Sequence, residues 1–182
     1  RENELTANLS VGWRQRLALG TATIHEPELL FLDEPTGGVD PVARRQFWDL
    51  LYDLASRGVT LFVTTHYMDE AAHCNRLAFI YRGRIIASGS PAELRTEHMD
   101  QRIFDVATRT ADPALLWLEQ SPEIAEAYLS GASLHAVVPA GSRLSAAELG
   151  GQLANAGFAD ATVTEVEPTI EDVFVNLVSR QR

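Results

Sequence analysis

The sequence predicts an α/β segment over residues 1–98, followed by a small α+β domain over residues 99–182 that ends in a helix. Two observations carry this division. Up to about Leu94, helix-like stretches alternate with short continuous apolar runs, the mark of parallel strands buried on both faces. Beyond His98 the rhythm and the charge change together, from a net charge of −3 over residues 1–98 to −7 over residues 99–182. The composition, 46% apolar and 22% charged over 182 residues, is that of a globular chain able to bury a sizeable core.

Ser10 to Ile24 reads as a helix and Leu29 to Leu32 as a buried strand. Asp40 as N-cap, Pro41 at the first helical position and Gly58 as a stop frame a helix over Pro41 to Ser56. Val59 to Thr64 is a second strand, and helix returns after it. Arg76 to Tyr81 and Arg84 to Ser88 form a hairpin turning at Arg82-Gly83, followed by a short helix capped by Ser90 with Pro91 behind it. In the second domain Gln101 to Arg109 is a strand and Pro113 to Gln120 a helix. Ile124 to Leu129 and Ser133 to Val138 are paired strands turning at Gly131, Ser145 to Asn155 is a helix ended by Gly157, and Ala161 to Val166 is a strand. The order βαββαβ is the ferredoxin-like arrangement, and Ile170 to Val178 adds an amphipathic helix.

Composition excludes several functions. Acidic residues outnumber basic ones 25 to 15, so the chain offers no electrostatic footprint for nucleic acid and none is expected as a partner. All fifteen basic residues are arginine, which removes any chemistry that needs an amine, including the lysine of a phosphate-gripping P-loop. A single cysteine, Cys74, permits no intrachain disulfide and suits a reducing cytosol. No apolar run approaches the roughly 18 to 20 residues of a membrane helix. A start at Arg1, without a signal peptide or initiating Met, leads us to expect a piece of a longer protein.

Chemistry is expected at three places. The run Leu29 to Leu32 ends in Asp33-Glu34-Pro35, and ligands in parallel sheets bind beyond the carboxyl ends of strands. Strand alternation is expected to send the two carboxylates different ways, one to hold a metal such as Mg²⁺ and the other to orient a water. The plainer alternative is an exposed acidic turn. One βαβ unit later Val59 to Thr65 ends in His66, which reaches the same crevice if both strands share one parallel sheet and can there bond a phosphate oxygen; alone it reads equally as a structural histidine. The third place is Ser10-Val11-Gly12 at a helix N-terminus, an anion site by dipole and free N–H groups, or else a serine that serves only its helix. A metal site from His66, Asp69, Glu70 and His73 is disfavoured, because Asp69 and Glu70 suit a first helical turn.

Taken in order, these residues resemble the second half of an ABC-transporter nucleotide-binding domain, a P-loop NTPase fold, over about residues 5–95. Ser10-Val11-Gly12-Trp13-Arg14-Gln15 resembles the signature motif, Leu29 to Glu34 the Walker B strand with its catalytic Glu, Gly38 to Pro41 the D-loop, and His66 the switch histidine. HEPELLFLDEPT, TTHYMDEA, RGRIIASGSP and the closing EPTIEDVFVNLV resemble the drug-exporter branch related to daunorubicin-resistance ATPases. Two features depart from that pattern. The family has Gly where Val11 stands and commonly Gln or Met where Trp13 stands, and neither a GxxxxGK[ST] Walker A nor a Q-loop is in the chain.

The resemblance implies an ATPase acting with a membrane permease to export a drug-like or hydrophobic substrate from the cytoplasmic face of the membrane. It implies ATP and Mg²⁺ as cofactors and a head-to-tail dimer. Asp33 would hold Mg²⁺ through water, Glu34 would polarise the attacking water and His66 would contact the γ-phosphate. Ser10, Gly12 and Gln15 would meet the partner subunit's nucleotide, and Asp40 would link the two sites. The chain by itself is expected to be inactive. Two other functions stay open: a soluble ABC ATPase of DNA repair or translation, which would call for coiled-coil heptads or a basic face, and a binding module in which residues 99–182 sense a small ligand or protein. Residues 99–182 are otherwise expected to serve assembly or regulation. Phe47, Trp48, Leu51 and Tyr52 read as a core stripe, as do Leu115 to Leu118, and Cys74 reads as a small buried hydrophobe. His25, His98 and His135 have no ligand-spaced partners.

Overall fold

The computed structural model describes residues 5–181, which fall into two compact units, one up to Glu70 and one from Ala71 onward. In the first, a 3-10 turn at Thr6–Asn8 precedes α1 (Val11–Thr23), β1 (Leu29–Asp33), α2 (Pro41–Ser56), β2 (Thr60–Thr64) and the four-residue α3 (Met68–Ala71). Asp40 Oδ1 accepts from the backbone N–H of Val42 and Ala43, and Gly58 at φ 92° follows the last turn, so α2 has the bounds its punctuation predicts. It buries Phe47, Trp48 and Leu51, whereas Tyr52 lies on its exposed side, 46% accessible.

β1 and β2 pair in parallel from Leu29↔Thr60 to Asp33↔Thr64. The expectation of strands buried on both faces is corrected here. Leu30 is buried and Leu32, Leu61 and Val63 are half-buried, but Phe31 and Phe62 are 68% and 58% exposed, their rings 5.4 Å apart. Alternation along each strand therefore has one covered side and, among the described residues, one open side.

The second unit opens with the antiparallel hairpin β3 (Leu77–Tyr81) and β4 (Arg84–Gly89), turning through Arg82 and Gly83 at φ 48° and 74°. Two successive positive φ values are what a tight primed turn demands. Next come α4 (Pro91–His98), β5 (Arg102–Ala107), α5 (Ala111–Gln120), β6 (Glu126–Ser130), β7 (Ser133–Val138), α6 (Ala146–Asn155), β8 (Thr162–Val166) and α7 (Ile170–Ser179). The last four strands form an antiparallel sheet in the order β6-β7-β5-β8. Phe104, Val106, Leu134, Ala136 and Val138 pack into one core with Leu118 of α5 and with Leu149 and Leu153 of α6. Of the stripe expected over residues 115–118, Leu118 is fully buried but Leu116 is 58% exposed.

α7 is fastened to the sheet through Asp172, which accepts from Tyr128 of β6 at 2.6 Å and pairs with His135 of β7 at 2.6 Å. The sequence places a boundary near His98, but the compact units divide at Glu70. The hairpin and α4 join α7: Phe79 meets Phe174 edge-on at 5.4 Å, and Asn176 Nδ2 donates to the His98 carbonyl at 2.6 Å.

Candidate functional site

The parallel ladder brings the ends of β1 and β2 side by side. Thr64 donates its hydroxyl to Asp33 Oδ1, and the Glu34 N–H donates to the Thr64 carbonyl at 3.1 Å. β1 then stops, and Glu34 takes φ 46°, a left-handed conformation that a residue with a Cβ adopts at a cost of about 1–2 kcal/mol. This turn, rather than strand alternation, sets the direction of the Glu34 side chain. Its Oε2 lies 2.5 Å from Nδ1 of His66, which donates to it. His66 and Glu34 remain open to solvent, with 62% and 42% of their side chains accessible. Asp33, Glu34 and His66 thus meet at one crevice, held together by residues 30 positions apart.

A buried layer lies behind them. Glu70, 1% exposed, accepts from Thr36 Oγ1 at 2.6 Å on one oxygen and from Thr65 Oγ1 at 2.8 Å on the other. Arg44 of α2 sits with Nε 3.5 Å from Glu70 Oε1, and its guanidinium lies over the Tyr67 ring at 3.8 Å. The Tyr67 ring in turn packs against that of His66 at 4.1 Å. Asp69, by contrast, points outward, its side chain 73% exposed. Glu70 stands in the first turn of α3, where the sequence places it, and it is buried there. Its burial depends on Thr36, 34 residues away, which no local pattern reveals; among local signals, only a hydroxyl residue just past each strand hinted at it. Thr64, which joins Asp33 to Glu34, escaped notice for the same reason.

Ser10, Gly12 and Gln15 occupy the first turns of α1. Ser10 is the N-cap residue by position, but its side chain makes no capping bond. A Cβ on Gly12 would come within 3.3 Å of Ala43 Cβ and 3.4 Å of Val39 Cγ1, so glycine lets α1 approach the start of α2. Asp40 spends its carboxylate on the α2 cap. None of the bonds just described joins these four residues to the Asp33, Glu34 and His66 group. Trp13 is 45% exposed, with Arg16 over its ring at 5.6 Å. Among the described residues no helix is long and apolar enough to cross a membrane, and no group of three or more His, Cys, Asp or Glu could hold a metal ion.

Comparison with known proteins bears on the same stretch. A family profile described as "AAA domain, putative AbiEii toxin, Type IV TA system" matches residues 7–68. The chain is 52% identical over 92 residues to the Probable multidrug ABC transporter ATP-binding protein YbhF of Escherichia coli, covering 50% of this chain and 16% of that protein. It is 36% identical over its whole length to the Nod factor export ATP-binding protein I of Rhizobium johnstonii, and spans 56% of it. These matches support the ABC-transporter ATP-binding family. A further relative, the Nod factor export ATP-binding protein I of Paraburkholderia xenovorans, is 34% identical over 96% of this chain, which spans 55% of it. The chain thus spans about half the length of the Nod factor relatives, and the match to them runs on through the second unit. A solved structure of the ATP binding subunit of an ABC transporter aligns with 53% of this chain and 41% of its own, at 26% identity and a TM-score of 0.47.

Proposed function

We propose that the chain is the C-terminal part of the ATP-hydrolysing subunit of an ABC exporter, in the drug-exporter branch. The observation that carries this reading is the Glu34–His66 hydrogen bond of 2.5 Å, formed at the carboxyl ends of two parallel strands beside Asp33. Relatives named for multidrug and Nod factor export support a hydrophobic or drug-like substrate moved by a membrane permease. A peripheral position on the cytoplasmic face goes with that role.

Glu34 Oε2 is occupied by His66, so Oε1 is the oxygen that accepts from the attacking water. With Nδ1 turned to Glu34, Nε2 of His66 is the nitrogen left for the γ-phosphate. Asp33 offers a solvent-facing carboxylate steadied by Thr64, a hard oxygen donor that suits Mg²⁺ held through water. When bound, Mg²⁺ neutralises charge building on the phosphate oxygens. Ser10, Gly12 and Gln15 serve the nucleotide of a second subunit packed head to tail, and Asp40 joins the two sites. The described chain supplies sensing and hydrolysis without a Walker A lysine, so alone it binds MgATP weakly and turns over at background rate.

Residues 99–182 form, in this reading, a ferredoxin-like assembly domain; the order βαββαβ, with sheet order β6-β7-β5-β8, supports it. In the full-length subunit, Glu34→Gln keeps MgATP affinity and lowers turnover by roughly 10²-fold or more, whereas Asp33→Asn weakens Mg²⁺-dependent binding. Wild-type turnover by Glu34→Gln removes Glu34 from the chemistry and with it the proposal.

A further inference from the structure

We infer that Glu70 is a positioning residue for the hydrolytic pair: the Glu70 carboxyl clamps the two loops that carry Glu34 and His66. This rests on the proposed ATPase site and extends it. The β ladder ends at Asp33 and Thr64, so beyond it no strand pairing sets the gap between the loops. Glu34 and His66 both lie past that end, and their side chains are substantially exposed. A hydrogen bond there competes with water and does not by itself hold two loops in register.

Glu70 supplies what the ladder lacks. Its two oxygens take the hydroxyl of Thr36, two residues after Glu34, and that of Thr65, immediately before His66. A single planar carboxyl therefore spans the gap from behind, where water is excluded and a polar contact is costly to lose. Thr65 Oγ1 also accepts from the Tyr67 N–H at 3.0 Å, which shapes the backbone around His66. A second route runs through Arg44, paired with Glu70 at 3.5 Å and lying on Tyr67, whose ring packs against the His66 imidazole. Glu70 reaches both the backbone and the ring of His66, yet its own carboxyl bonds to neither Glu34 nor His66.

The test is steady-state ATPase kinetics with separate MgATP affinity in the full-length subunit, for wild type, Glu70→Ala, Glu70→Gln and Thr36→Val. A displaced pair loses rate steeply with small shifts, so Glu70→Ala is expected to lower kcat by about 10- to 100-fold while Kd for MgATP changes by less than about 3-fold. Glu70→Gln keeps the span and two hydrogen-bonding ends, because a threonine hydroxyl can turn to accept; it is expected to recover part of kcat. If Glu70→Ala does not fold, Thr36→Val, which frees only one loop, carries the test and is expected to lower kcat with Kd kept. Folded variants with wild-type kcat overturn the clamp. Equal loss of kcat and affinity also overturns it, since that marks general damage. A wild-type subunit that does not hydrolyse ATP refutes the proposed function itself, a result separate from either of these.

Discussion

Glu34 pays for its direction in backbone strain, since its φ of 46° is one that glycine adopts freely and glutamate does not. Strain kept at a solvent-facing carboxylate is what a functional position shows when other residues over-determine it. Here the Thr64 carbonyl, the Thr64 hydroxyl and His66 do so. If side-chain chemistry rather than stability is the reason for glutamate, then Glu34→Gly is more stable than Glu34→Ala by about 1 kcal/mol. Urea denaturation of the two variants checks this, and equal midpoints would mean that the left-handed turn is unstrained. The adjacency of Asp33 and Glu34 was legible from the sequence, because an apolar run ending in acids is a local signal. The turn that aims Glu34 was not, because it depends on Thr64 from another strand.

At the scale of elements, α7 shows where local reading stops. Its amphipathic pattern is written in the chain, and the structure adds a cap, in which Thr169 Oγ1 accepts from the Asp172 N–H while Asp172 accepts from that of Thr169. What fastens it is a buried cluster drawn from 37 and 44 residues away. His135, 6% exposed, pairs with Asp172 at 2.6 Å and lies 3.7 Å from Asp105, and Tyr128 donates to the same Asp172 oxygen. Spacing along the chain gave His135 no partner; the sheet register did.

The hydrogen bond that His135 donates to Asp172, helped by the charges of Asp172, Asp105 and Glu171, outweighs desolvation and raises the His135 imidazole above its ordinary range. Burial pushes Asp172 up, but His135, Tyr128 and Thr169 together hold it below the usual carboxylate range. The folded His135 value is raised, so its contribution is complete below about 6.5 and is lost as pH rises through the folded value. That of Asp172 is present above its unfolded value and is lost as pH falls through the folded one. The melting difference between wild type and His135→Gln should therefore narrow as pH is raised above neutrality. A difference constant from pH 6 to pH 9 would leave His135 a packing role alone.

For the whole molecule, the order of the elements is legible in the chain, whereas the compact units divide at Glu70 and not near His98. Cap and stop residues locate α2, and strand alternation β7, to the residue, while nothing local in the sequence ties the hairpin and α4 to α7. Phe79 against Phe174, and Asn176 on the His98 carbonyl, are contacts that only the folded chain displays. Truncation after His98 removes both partners, so the shortened protein should melt lower and be cut by protease near the hairpin, whereas truncation after Glu70 leaves a unit without those exposed ends. Equal protease resistance of the hairpin before and after truncation at His98 would show that α7 is dispensable to it.

Glu34 and His66 are proposed to act as one hydrolytic unit. The measurement that bears on it most directly is a double-mutant cycle of Glu34→Gln and His66→Ala on single-turnover ATP hydrolysis in the full-length subunit. Residues that act as a unit are strongly non-additive. The double variant is expected to hydrolyse ATP no more than about 3-fold slower than the slower single variant, with MgATP affinity retained in all three. Rate losses that multiply would contradict the account and leave the 2.5 Å contact as two independent residues that happen to meet.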